Sequence, residues 1–95
     1  MDLQQYVIGF MEMVAEDPRI GPSHISLFMA ILHFYQLQGR SNPVRIYARE
    51  LRVQAKISSP RNYYCVMGDL RNWGYLKLTP SFNHLKPSEV LLRRF

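Results

Sequence analysis

Between Ala48 and Trp73 two helical patterns stand three residues apart, and that spacing constrains the fold more than any other feature of the chain. In the first, residues 48–55, Leu51 and Ala55 recur at i, i+4 and form a narrow apolar stripe. In the second, Tyr63, Val66, Met67, Leu70 and Trp73 follow i, i+3, i+4, i+7 and i+10. Ser59 is a good N-cap, and Pro60 suits the first helical position, where a missing N–H costs nothing. The link is Lys56-Ile57-Ser58, a tight turn. So short a connection holds two helices side by side at an angle, with their apolar stripes turned onto one core.

The rest of the chain fills in around that pair. Asp2 with Gln5 resembles a capping box, and Leu3, Tyr6, Val7, Phe10, Met11 and Val14 keep helical spacing to about Ala15 before Asp17-Pro18 stops it. Ile20-Gly21-Pro22-Ser23 opens a second helix that runs to about Gln38 and ends at Gly39. Its residues from Ile25 to Leu37 are apolar on nearly every face, which predicts a place at the centre of a core or between two subunits. Val44-Arg45-Ile46 reads as a short strand. After Gly74, a left-handed C-cap, Tyr75–Thr79 and Val90–Leu92 read as strands. The eight-residue loop Pro80–Pro87, then Ser88-Glu89, separates them. The predicted order is helix, helix, strand, helix, turn, helix, strand, wing, strand. That is an α+β fold, mainly α, with the layout of a winged helix-turn-helix. Ninety-five residues make one domain, 1–95, with the helix of residues 1–17 as a candidate dimerisation element.

Charge divides the chain. Residues 1–39 carry Arg19 against Asp2, Glu12, Glu16 and Asp17, a net of −3; residues 40–95 carry eleven Lys and Arg against Glu50, Asp69 and Glu89, a net of +8. A basic half joined to a mildly acidic one points to a polyanion on one side of the fold.

Ile20-Gly21-Pro22-Ser23-His24-Ile25-Ser26-Leu27, Lys56-Ile57-Ser58-Ser59, Gly74-Tyr75-Leu76, and Pro80-Ser81-Phe82-Asn83 followed by Lys86 resemble a family of small bacterial winged helix-turn-helix proteins. Members are described as transcriptional regulators and are often encoded on mobile elements. The similarity covers about residues 20–92. It implies a winged-helix fold and double-stranded DNA binding, as a transcriptional regulator or as an accessory factor for replication or excision of a mobile element.

The residues themselves point the same way. With the apolar stripe of helix 59–73 turned inward, Arg61, Asn62, Tyr64, Cys65, Gly68, Asp69, Arg71 and Asn72 are left outside. Its N-terminal end is expected in the major groove, with Ser58, Ser59, Arg61, Asn62 and Tyr64 nearest the bases. Arg can grip guanine O6 and N7 with two donors, and Asn can pair with adenine N6 and N7. The free N–H groups of the first turn also favour a phosphate. In the wing, Asn83, His84 and Lys86 are placed for a phosphate or minor-groove contact, while Phe82 and Leu85 are expected to pin the loop to the body. Arg49 and Lys56, with Arg45 and Arg52, cover the helix that crosses the DNA backbone; Lys77, Arg93 and Arg94 extend the basic surface. Tyr6, Phe10, Met11, Met13 and Phe28 are candidates for a homodimer contact. The reading from another class is a protein-interaction module without DNA binding, since fold does not fix function.

Catalysis and metal binding find little support. His24 and His33, nine residues apart on one helix, point in opposite directions, and Cys65 has no CxxC partner and no His at i±3 or i±4. No D-x-D, E-x-x-H or Gly-rich phosphate loop is present. The chain is expected to be no enzyme and to need no metal or cofactor. A single cysteine cannot close an internal disulfide and suits a reducing compartment. With no apolar run of membrane-span length and no basic amino-terminal start, the expected location is cytoplasmic, away from membranes.

Overall fold

The computed structural model describes residues 2–81, 83 and 85–94. In chain order the elements are α1 (Leu3–Ala15), α2 (Pro22–Leu37), β1 (Val44–Ile46), α3 (Ala48–Ala55), α4 (Pro60–Asn72), β2 (Leu76–Thr79) and β3 (Ser88–Leu92). The strands form one antiparallel sheet in the order β1-β3-β2, with Val44 opposite Val90 on one side of β3 and Leu78 opposite Val90 on the other. This is the α+β, mainly helical topology of a winged helix-turn-helix.

Local chemistry sets the boundaries. Asp2 caps α1 by accepting from the Gln4 N–H at 3.0 Å, and Ser59 caps α4 by accepting from the Asn62 N–H at 3.3 Å. At the start of α2 the Gly21 N–H donates to Nδ1 of His24 at 3.0 Å, so an imidazole does the work of a capping side chain. Gly74, at φ +81°, reverses the chain after α4 in a conformation that costs a side-chain-bearing residue energy. The α3–α4 turn has no glycine; Lys56 itself takes the left-handed conformation, at φ +62°. The turn is held by the Ile57 N–H donating to the Arg52 carbonyl at 3.0 Å and by the Arg52 guanidinium donating to the Ser58 carbonyl at 3.0 Å.

α2 lies at the centre, in contact with α3, α4 and β1, and buries Leu27, Phe28, Ala30, Ile31, Leu32 and Tyr35. Most of its apolar circumference is thus used within the chain, with Met29 and Leu37 left exposed. α1 closes the other side with aromatic rings: Phe10 stacks on Phe28 at 4.1 Å between centroids, Tyr6 lies parallel to Phe28 at 6.2 Å, and Tyr75 meets Phe10 edge-on at 5.8 Å. The dimer residues expected from the sequence therefore need correction. Tyr6, Phe10 and Phe28 are buried and Met13 is half-buried against the core, which leaves Met11 of the five exposed. Helical spacing marks apolar side chains without saying whether their partner lies inside the chain.

Three further expectations are revised. Trp73 is half-buried at the edge of the core, with the Arg19 guanidinium 4.7 Å above its ring and His24 beside it at 5.1 Å. Leu85 does not pin the loop, because its side chain is 74 % exposed, and Phe82 lies outside the described residues. The second strand starts at Leu76, since Tyr75 turns into the core, and the third already begins at Ser88, where pairing with Ile46 recruits it. No helix among the described residues is long and apolar enough to cross a membrane.

Burial shapes the tyrosine chemistry. Desolvation of the ring, foremost, pushes the hydroxyls of Tyr63 and Tyr75 up to about 12 and that of Tyr6 higher still; at Tyr75 the hydrogen bond to Asp17 adds to the effect. A raised pKa means that the folded chain holds its protons longer than the unfolded one. The stabilisation is complete below the ordinary tyrosine value of about 10 and is lost as pH rises from there through about 12. Alkaline titration followed by tyrosinate absorbance should therefore show these hydroxyls ionising together with loss of the helical far-ultraviolet signal. Ionisation of Tyr6, Tyr63 and Tyr75 near pH 10 with the helices intact would contradict this packing.

Candidate nucleic-acid interface

The helix-turn-helix pair and the loop between β2 and β3 meet around a groove of about 700 Å³. One wall is α3 and the residue before it, with Tyr47, Ala48, Arg49 and Arg52; the second is a flank of α4; the third is the loop, with Pro80, Ser81, Asn83, Leu85 and Lys86. The α4 flank consists of Pro60, Tyr63, Tyr64, Met67, Gly68 and Arg71, within which Tyr64, Gly68 and Arg71 recur at i, i+4 and i+7 on one side of the helix. The charged residues along this groove are Arg49, Arg52, Arg71 and Lys86, and no Asp or Glu is among its described lining residues.

Hydrogen bonds tie the described residues of the loop to one another and to Ser88. The Ser81 N–H donates to Oγ of Ser88 at 3.1 Å, the Leu85 N–H donates to Oδ1 of Asn83 at 3.0 Å, and the Lys86 N–H donates to the Asn83 carbonyl at 2.9 Å. Asn83 thus spends its side-chain oxygen on the turn, which leaves its amide N–H groups for an external partner. Tyr64 is 64 % exposed, with its ring edge-on to buried Tyr63 at 5.1 Å. Arg49 and Lys86 are both exposed.

The ten residues singled out from the sequence fall into separate groups. Arg49, Tyr64, Asn83 and Lys86 share the groove. Lys56 and Ser58 sit on the turn side of α3, around a shallower depression with Arg52, Val53 and Ile57. Ser59, Arg61 and Asn62 occupy the first turn of α4 outside both hollows; Arg61 and Asn62 are exposed, and Ser59 is half-buried as the cap. His84 lies outside the described residues. The first turn of α4 has little donor capacity left for a phosphate, because Pro60 has no N–H and that of Asn62 goes to Ser59.

Arg71 is the groove residue that the sequence reading left out of the site. Its spacing of three from Gly68 and seven from Tyr64 was visible, but which flank of α4 the loop would face was not. Asp69 belongs to the opposite flank. His24 Nδ1 accepts from Gly21, so the ring proton sits on Nε2 and is donated to Asp69 Oδ2 at 2.9 Å. The carboxylate is thereby tied to α2, and it does not line the cationic groove.

A second polar cluster braces the far end of α4. Asp17 accepts from Nε and Nη2 of Arg19 at 2.8 and 2.9 Å and from the Tyr75 hydroxyl at 2.8 Å. The Arg19 guanidinium, assisted by that hydroxyl and opposed by desolvation, holds the Asp17 carboxyl well below the usual carboxylate range. Among the described residues no group of three or more His, Cys, Asp or Glu is placed to hold a metal ion.

No protein-family model, curated protein or solved structure matches the chain.

Proposed function

We propose that this protein binds double-stranded DNA, with α4 in the major groove and the loop of residues 80–87 clamping the adjacent backbone, in the manner of a transcriptional regulator or mobile-element accessory factor. The observation that carries the reading is the groove between α4 and the loop, where Arg49, Arg52, Arg71 and Lys86 come from three separate elements and no described lining residue is acidic. A polyanion is the partner that such a surface recruits. Arg61 and Asn62, exposed on the first turn of α4, have the donors to read base edges, and the groove cations have the charge to hold phosphates. The negative charge of the first 39 residues belongs mainly to α1 and the segment after it, and none of it lines this groove.

The test is titration of duplex DNA across a range of salt. With four to six phosphates neutralised, the logarithm of the binding constant should fall against the logarithm of salt with a slope of roughly −4 to −5. No duplex binding at low salt, or binding indifferent to salt, would remove the electrostatic basis of the proposal and favour a protein-interaction module.

A further inference from the structure

Gly68 stands in the interior of α4, and nothing among the described residues requires a glycine there. The positive-φ glycines are Gly39 and Gly74, whereas Gly68 has ordinary helical geometry. A Cβ built on it would meet no atom of the described residues within 4 Å, so none of them needs the space. Glycine in a helix interior is less stable than alanine, because it gives up more backbone freedom on folding. The residue therefore destabilises α4 without serving its conformation or its packing against any described residue. It lies in the cationic groove, between Tyr64 one turn before and Arg71 just under a turn after, facing walls that carry Arg49 and Lys86.

A bare patch of helix backbone is what a ligand needs if it is to approach closely. The cations around the patch specify an anion, and their distribution over α3, α4 and the loop suits an extended one. We propose that one strand of duplex DNA lies in this groove and that its sugar–phosphate backbone makes its closest approach to the protein at Gly68. Arg71 and Lys86 flank the strand at its phosphates, and Tyr64 packs against the sugar edge. This assignment rests on the DNA-binding reading and adds to it the position of the strand. It makes the wing-facing flank of α4, rather than the Asp69 flank, the side that sits against the DNA backbone.

The experiment compares Gly68→Ala and Gly68→Leu with the parent in thermal melting and in duplex titration at fixed salt. Gly68→Ala should melt about 4–8 °C higher, from helix propensity alone. It should nevertheless bind duplex more weakly by roughly 5- to 100-fold, the cost of forcing a methyl group into a close contact, and Gly68→Leu should bind more weakly still. A gain in stability coupled to a loss of binding is an outcome that a purely structural glycine cannot produce. If Gly68→Ala gains stability and binds like the parent, the strand does not lie against this residue, while the parent's own affinity keeps the DNA reading standing. If Gly68→Ala is less stable than the parent, the glycine serves the fold and the assignment fails. Failure of the parent to bind any duplex would end both readings.

Discussion

Phe28→Ala should cost about 3–5 kcal/mol, roughly a third or more of the stability of a domain this size. Phe28 is fully buried, stacked on Phe10 at 4.1 Å and parallel to Tyr6 at 6.2 Å, so its removal takes away transfer energy and ring packing together. The hole would open between α1 and α2, where the surrounding rings are too rigid to collapse into it. A domain of this size has of the order of 5–10 kcal/mol in hand. Calorimetry of the variant, or urea unfolding if it still folds, measures the effect. A loss below about 1 kcal/mol would mean that these rings are exposed to solvent or to a second copy of the chain, in conflict with the observed packing.

Simultaneous replacement of Arg49, Arg71 and Lys86 by alanine should lower affinity for every duplex by about 100- to 1000-fold at moderate salt and reduce the salt slope by about three units. All three are exposed, and none has a side-chain ion pair among the described residues, so folding should be unaffected. Arg52 is left in place because its guanidinium supports the turn through the Ser58 carbonyl. Arg61→Ala provides the contrast. If Arg61 forks onto a guanine, its removal costs about 1–3 kcal/mol on the preferred site and much less on scrambled duplex. An unchanged slope in the folded triple variant would show that DNA does not run through the groove.

The helices could be placed closely from the sequence because each end carries its own chemistry. Asp2, the Gly21-Pro22 pair, Ser59-Pro60 and Gly74 are local signals, and a helix end is a local event. The long-range relationships were less legible. Apolar periodicity found Tyr6, Phe10 and Phe28 but could not tell an intrachain stack from a dimer contact. Trp73 continued the stripe of α4, yet it falls where the helix is already leaving the core, and an arginine covers it instead. His24 looked like an isolated histidine; its bond to Asp69 joins residues 45 positions apart. The site divided in the same way. Arg49, Tyr64, Asn83 and Lys86 were found from residue type and element, whereas Arg71 emerged only once the loop was known to lie along one flank of α4.

The position of β3 between β1 and β2 bears on how the chain acquires its cationic groove. Neither outer strand has a partner until residues 88–92 arrive, and the Val44–Val90 pairing spans nearly half the sequence. Helices form from near neighbours and form early; a pairing of that span must first meet its loop-closure entropy. β2 and β3 lie close in sequence and can pair as a local hairpin, Thr79 with Glu89, but the loop they carry has no fixed place beside α3 until β3 meets β1. Until β3 docks, the third wall of the groove is missing, and Arg49 and Arg71 stand on their two walls without Lys86 opposite them. The cationic groove is in this sense a late property of folding, gained with the last strand rather than with the helix-turn-helix pair.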